Sequence, residues 1–385
     1  MNHLIDKGLF FVLHSTCKPV KGASRSVLID YARGSVYYLP NEYYDLLQCL
    51  DRKPVHSIVS QFEEADSLNN FYEFISFLKN EELAFFTDDP TLFPPRSDDY
   101  REAPSSLDDM IIELNPVVFD EYTLGEVCRQ LNELRCSDVQ IRVLSAPDFG
   151  YLAQVLKAFN ATNINYLELH LSEYEASEMH LIWNLVERIA KLNAVYLYQA
   201  SKPEVLTVTA DTSSPMALHL GYVYCIDYPF ENGNCCGIIN HKTLSYNSVN
   251  EHNRLRIRNG CLDKKITIDR KGNIRNCPSM REQYGNIKHT TLHQVMQEQA
   301  FRKYWHVTKD QIDICRSCEF RYNCSDCRAF LTDPDNLYSK PAKCGYNPFT
   351  GEWEEGSSNP LKETLALHQR RRNEGALEKE SFVNG

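Results

Sequence analysis

The hydrophobic pattern of the chain changes rhythm twice. Between residues 8 and 95, two β-like runs, LFFVLHST and SVLIDYARGSVYYLP, flank a turn-rich KPVKGAS. Three stretches of helical periodicity follow, NEYYDLLQCLD, KPVHSIVSQF and LNNFYEFISFLKNEEL, and AFFT closes the unit as a strand. Tyr43, Leu46, Leu47 and Leu50 make one apolar helix face, with Asn41 as its expected N-cap. A hairpin, three helices and a closing strand predict a winged helix-turn-helix over residues 1–95. Residues 88–106, DDPTLFPPRSDDYREAPSS, are rich in Pro, Asp and Ser and read as a linker.

From residue 107 apolar strands alternate with amphipathic helices. DMIIELN precedes TLGEVCRQLNELR, VQIRVLS precedes DFGYLAQVLKAFNA, and YLELHLS precedes ASEMHLIWNLVERIAKL. AVYLYQA follows, and MALHLGYVYCI at 216–226 adds a further strand. Such a βαβ series predicts an α/β fold with a parallel sheet under helices. At roughly 30 residues per unit, residues 107–226 hold about half of an eight-fold barrel. Residues 227–350 are loop-rich, and 351–385 read as a charged tail.

Composition narrows the function. The chain has 385 residues, 43% of them hydrophobic, and a formal charge of −11. No apolar run reaches the roughly 18 residues of a membrane span, and the start has neither a cationic n-region nor a cleavage site. A cytoplasmic protein is expected. The acidic balance argues against nucleic acid as a partner.

Fourteen cysteines then change the picture. Cys17, Cys49, Cys128 and Cys136 are scattered and read as buried small apolar residues. The other ten lie between Cys225 and Cys344. Cys261 and Cys277 are separated by ten residues, Gly272 and four residues, and KITIDRKGNIRNC reads as a hairpin that delivers Cys277. Cys315, Cys318, Cys324 and Cys327 follow as C-x2-C-x5-C-x2-C, and Cys344 closes the set. Disulfides would need an oxidising compartment. A zinc ribbon would want two CxxC pairs roughly 15–20 residues apart, and only five residues separate these. Iron–sulfur clusters take four thiolates each, often one from a distant segment. That arrangement suits the spacing best, with zinc as the alternative.

The pattern C-x10-G-x4-C, C-x2-C-x5-C-x2-C, C resembles the SPASM domain. That domain follows the barrel of radical-SAM enzymes that mature ribosomal peptides, and it carries two auxiliary [4Fe–4S] clusters. The resemblance implies that Cys315, Cys318, Cys324 and Cys344 hold one cluster. Cys261, Cys277 and Cys327 would hold the other, with Cys236 or its neighbour Cys235 as fourth ligand, or with one iron left open. The family has three residues between its last close pair where this chain has two.

A radical-SAM barrel also needs CxxxCxxC after its first strand. The matching stretch, PVVFDEYTLGEVC, lacks it, and Ser145-Ala146-Pro147-Asp148 stands where the family has GGEP. Cleavage of S-adenosylmethionine is therefore not expected, and residues 107–226 resemble a degenerate barrel. With KITIDRKGNIRNCPSM, YGNI and ICRSCEFRYNCSDCRA, the chain resembles the SPASM maturase of grasp-with-SPASM systems. That resemblance implies a precursor peptide and an ATP-grasp ligase as partners. Residues 1–95 would recognise the peptide, 227–350 would be the SPASM domain, and the clusters would order it. A peptide-modifying redox enzyme acting through an open cluster is the alternative, as is a zinc-binding structural protein.

Other residues read more plainly. His170, His180, His219 and His241 look like ordinary strand or helix histidines. No GxxxxGK[ST] or GxGxxG motif is present, so nucleotide binding falls to a partner. Arg256, Arg258, Lys264, Lys265, Arg270 and Lys271 make a basic patch beside Cys261, either a solvated face or a dock for an acidic core peptide.

Overall fold

The computed structural model describes residues 8–95, 97–209, 219–230 and 239–354. Strands β1 (Phe10–Leu13), β2 (Cys17–Lys21), β3 (Ser26–Asp30) and β4 (Ser35–Leu39) open the chain. β2, β3 and β4 form one antiparallel sheet in that order. The stretch read as a turn thus contains a strand, paired from Cys17↔Asp30 to Lys21↔Ser26. Pro19 fits because β2 is an edge strand, where a missing N–H can point away from the ladder. Helices α1 (Asn41–Leu50), α2 (Val55–Val59) and α3 (Ala65–Asn80) follow, and β5 (Ala84–Thr87) pairs with β1. Phe11, Leu28, Leu47, Phe71, Phe74 and Leu78 share their core.

Asn41 does not cap α1. Pro40 stands at the N-cap and makes no side-chain bond. Asn41 instead accepts from Ser26 Oγ at 2.6 Å and donates to the Gly22 and Ala23 carbonyls, which ties the helix to the β2–β3 turn. The linker is strapped down as well. Asn253 Nδ2 donates to the Ser97 and Asp99 carbonyls, and Asp98 pairs with Lys18 at 3.1 Å and Arg256 at 2.6 Å.

The central part is α/β, as expected. Its elements are β6 (Asp109–Glu113), α4 (Glu121–Leu134), β7 (Asp138–Val143), α5 (Phe149–Asn160), β8 (Tyr166–Leu171), α6 (Met179–Arg188), β9 (Leu192–Leu197), β10 (Glu204–Thr209) and β11 (His219–Cys225). Then come α7 (Val249–Ile257), β12 (Lys265–Ile268), β13 (Ile274–Arg275), α8 (Leu292–Gln297), α9 (Gln299–Arg302), and the short pair β14 (Tyr346–Asn347) and β15 (Glu352–Trp353). One eight-stranded sheet has the order β10-β11-β9-β8-β7-β6-β12-β13. Its six inner strands run parallel, and β10 and β13 close the ends antiparallel. β10 was not anticipated. β12 comes from the cysteine-rich segment and extends the sheet beyond β6.

Side chains on a strand alternate between faces. Val139, Ile141, Leu167, Leu169, Val195 and Leu197 share a core with the helices. Gln140, Arg142, Glu168, His170 and Tyr196 hold the alternate positions and lie on the opposite face, and Tyr198, just past β9, stacks on His170 there. A parallel sheet covered on both faces reads as continuously apolar. This one has a polar and aromatic face opposite its helices.

The β2–β3–β4 sheet packs Val20, Val27, Ile29 and Val36 against Phe320 and Tyr346 of the cysteine-rich segment. At this contact the Tyr31 hydroxyl is hydrogen-bonded with His252 Nδ1 at 2.8 Å and accepts from Asn323 Nδ2 at 2.7 Å. Burial pushes the His252 pKa down to about 3, and Lys18 and Arg256 add to the effect. An unfolded-state histidine titrates near 6.5. Below that pH the unfolded chain binds the extra proton and the fold does not, so stability drops as the pH is lowered. Between pH 7 and 5 this group should remove about 2 kcal/mol from folding stability. Urea unfolding across that range reads the slope, which His252→Gln should flatten. Equal slopes for the two proteins would refute the assignment.

Candidate functional site

Cys315 begins a single 3-10 turn, Cys315–Ser317, and Cys324 follows a second, Arg321–Asn323. The Cys318 N–H donates to the Cys315 carbonyl at 2.9 Å, folding the first CxxC back on itself. Burial pushes the Cys315 thiol up to about 12 and raises Cys318 and Cys344 as well. In all three, the charge of Cys324 adds to the rise. The structure thus places Cys315, Cys318 and Cys344 each within electrostatic reach of Cys324. Among the described residues, no three His, Cys, Asp or Glu side chains are arranged to hold a metal ion. The donor chemistry still fits a thiolate-bound centre. Neighbouring buried thiols resist ionisation alone, and a soft metal or cluster would neutralise all four as thiolates.

Cys261 and Cys277 meet in a small apolar cluster with Leu262 and Met280. The hairpin accounts for this. β12 leads away from Cys261 and β13 returns, with Thr267 opposite Arg275 and Ile268 opposite Ile274. Gly272 turns the chain at φ +84°, where a Cβ would lie 3.0 Å from Asn286. Both cysteines therefore stand at the N-terminal end of the parallel strands. Cys327 is not in their cluster, although Ala329 is. Cys235 and Cys236 lie outside the described residues, as do residues 355–385 of the tail. Of the scattered cysteines, Cys17 and Cys136 are buried as expected, Cys128 is half-buried and Cys49 is exposed.

Asp326, between Cys324 and Cys327, was not legible from spacing. It takes the left-handed conformation, with φ +64°. Its Oδ1 accepts from Lys309 Nζ at 2.8 Å and Arg328 Nη2 at 2.8 Å, and its Oδ2 accepts from Asn259 Nδ2 at 2.7 Å. Burial raises its pKa, but Lys309 and Arg328 outweigh burial and hold it below the usual range. Asn259 also accepts from the Cys261 and Leu262 N–H groups. One buried network therefore ties the Cys324–Cys327 turn to Cys261.

His170 is more than an ordinary strand histidine. It is buried, and its ring stacks on Tyr196 with centroids 4.3 Å apart. Nε2 lies 3.5 Å from Glu168 and Nδ1 lies 3.0 Å from the Tyr198 hydroxyl. Gln140 donates to the same Glu168 oxygen at 3.0 Å, and Arg142 Nε donates to Gln140 at 2.6 Å. Burial pushes the Glu168 pKa up, but His170, Gln140 and Lys265 outweigh it. A carboxylate, an imidazole and a phenol in sequence can pass a proton along one line. The sequence signal was the period-two polarity of VQIRV and YLELHL. In the other segment matched to the barrel family, Asp148 caps α5 by accepting from the Tyr151 N–H at 3.1 Å.

The six basic residues beside Cys261 do not form one patch. Arg256 pairs with Asp98, Lys265 lies in β12, and Arg270 and Lys271 lie in the β12–β13 turn. Arg258 and Lys264 share a cleft, which Arg302, Lys303 and His306 also line.

No family model and no curated protein matches this chain. Among solved structures it is similar to the crystal structure of Streptococcus suis SuiB bound to S-adenosylmethionine, with 10% identity and a TM-score of 0.30. The match covers 87% of this chain and 100% of that one. At that score the likeness fixes neither fold nor function. Among the described residues no helix is long and apolar enough to cross a membrane.

Proposed function

We propose that the chain is an iron–sulfur maturation protein for a ribosomally made peptide. In this reading residues 1–95 form a winged-helix unit that captures the precursor. Residues 107–226 are a partial, degenerate radical-SAM-like barrel, and 227–350 form a SPASM domain. An ATP-grasp ligase makes the crosslinks on the presented peptide. The electrostatic coupling of Cys315, Cys318 and Cys344 to Cys324, together with the Cys315–Cys318 backbone turn, supports this reading most directly. Clusters bound there and at Cys261, Cys277 and Cys327 would tie loops together and contribute folding free energy. The packing of the β2–β3–β4 sheet on the cysteine-rich segment gives the peptide-binding unit and the clusters a common frame.

Anaerobic reconstitution tests the reading. About eight iron and eight sulfide per chain are expected, with a [4Fe–4S] EPR signal on reduction. Ser in place of Cys315 and Cys324 together should halve the iron. Stoichiometric zinc without sulfide would leave a zinc-binding structural protein instead.

The line from Glu168 through His170 to Tyr198 favours a second reading, in which the chain itself modifies the peptide. A mass change in the peptide without the ligase, lost in His170→Asn, would replace the first reading with this one.

A further inference from the structure

A cleft of about 460 Å³ opens where α9 meets the loop that carries Arg258 and Lys264. Arg258, Lys264, Arg302 and Lys303 bring four cations to its wall, against the two carboxylates of Glu102 and Asp263. The excess is two positive charges. His306 adds none, because burial, Arg258 and Arg302 all push its pKa down. Lys264 pairs with Glu102 at 3.0 Å, and Lys303 with Glu282 at 2.6 Å. The arginines are less engaged. Arg258 Nε lies 3.8 Å from Asp263, and its Nη1 donates to His306 at 2.9 Å. Arg302 Nη2 donates to the Gln297 carbonyl at 3.0 Å, and no carboxylate pairs with Arg302 among the described residues.

We propose that this cleft binds an acidic peptide segment, with side-chain carboxylates on Arg302 and Arg258. The inference deepens the precursor-binding reading and rests on it. Planar guanidinium forks match carboxylates or phosphates, and the rest of the wall decides between them. A phosphate monoester concentrates about −1.5 to −2 charges at one point, facing Glu102 and Asp263 across the same cleft. A peptide spreads single charges along its length, and its backbone N–H groups can donate to the exposed Glu102 carboxylate, while Asp263 stays buried behind Arg254 and Arg258. Gln299 offers an amide that pairs with backbone of either polarity. Cys261 lies between Arg258 and Lys264 in the chain, so the bound segment would sit beside the first cysteine pair.

The test uses the full chain and a fluorescein-labelled octapeptide with four Asp or Glu residues. Its controls are the same peptide with Asn and Gln in their place, and inorganic phosphate. Anisotropy should show saturable, salt-sensitive binding of the acidic peptide and at least about tenfold weaker binding of the amide peptide. Arg302→Gln should weaken binding about tenfold, and Arg270→Gln, outside the cleft, should leave it unchanged. Arg258 neighbours buried Asp263, so Arg258→Gln is secondary to Arg302→Gln, and both are checked by circular dichroism. Equal binding of the two peptides, an equal loss in Arg270→Gln, or displacement by phosphate at lower concentration than by unlabelled peptide would overturn the proposal. Iron content separates the two readings. Iron-loaded protein that ignores the peptide sinks the cleft alone, and metal-free protein that binds it sinks the clusters alone.

Discussion

Asp326→Asn should cost about 3 to 5 kcal/mol of folding stability. The side chains of Lys309 and Asp326 are 6% and 2% exposed, and Arg328 closes on the same carboxylate with its Nε at 2.8 Å. Removing the negative charge leaves two buried cations facing one amide. The Coulomb attraction disappears while the cost of desolvating the cations stays. Asparagine is the informative replacement because it tolerates the left-handed backbone of position 326. Strain is thereby held constant and only charge changes. Set against the 5–15 kcal/mol of a typical domain, the loss is large. Urea unfolding of the thiol form should show the shift in midpoint, and reconstituted variant should take up less iron. A loss under about 1 kcal/mol would mean that the network does not hold the turn.

That turn marks where reading from sequence stopped. Cysteine spacing is a local property, so the C-x2-C units and the Cys261–Cys277 hairpin could be read from residues close in the chain. The βα rhythm was legible for the same reason, since each apolar face repeats within one element. β2 was missed because Pro19 and Gly22 flag a turn, and only the pairing with β3 shows that an edge strand accepts the proline. Asp326 was invisible because two of its partners, Asn259 and Lys309, come from separate stretches, and Arg328 beside it looks like any surface arginine until those are in place. The cationic cleft was half visible. Arg258 and Lys264 were singled out, but Arg302, Lys303 and His306 arrive from another segment, while Arg270 and Lys271 point the hairpin turn elsewhere. His170 was misjudged for a different reason. Alone in YLELHL it looks ordinary, and only the pairing of β7 with β8 puts Gln140, Arg142 and Glu168 on its sheet face.

Arg25→Met should loosen the packing of the β2–β3–β4 sheet on the cysteine-rich segment, at about 3 kcal/mol. Glu319 is fully buried there beside Cys318, and Arg25 Nε donates to its Oε1 at 2.8 Å. Tyr346 donates its hydroxyl to the same oxygen, while Oε2 is buried with no hydrogen-bond partner. The carboxylate is already under-satisfied, so losing the guanidinium leaves an uncompensated charge. Gly22 tightens the same contact, because a Cβ there would lie 3.0 Å from the Glu319 backbone. Hydrogen exchange should rise in β2 and β3 before it rises in β6 to β9, whose core is separate. A second substitution distinguishes charge from shape. Removing both partners of a buried pair is often nearly neutral, whereas removing one is not. Arg25→Met combined with Glu319→Gln should therefore recover most of the lost stability. If the double variant is as unstable as Arg25→Met alone, the contact depends on the Arg25 guanidinium stacked over the Tyr38 ring, 4.2 Å from its centroid, and not on the ion pair.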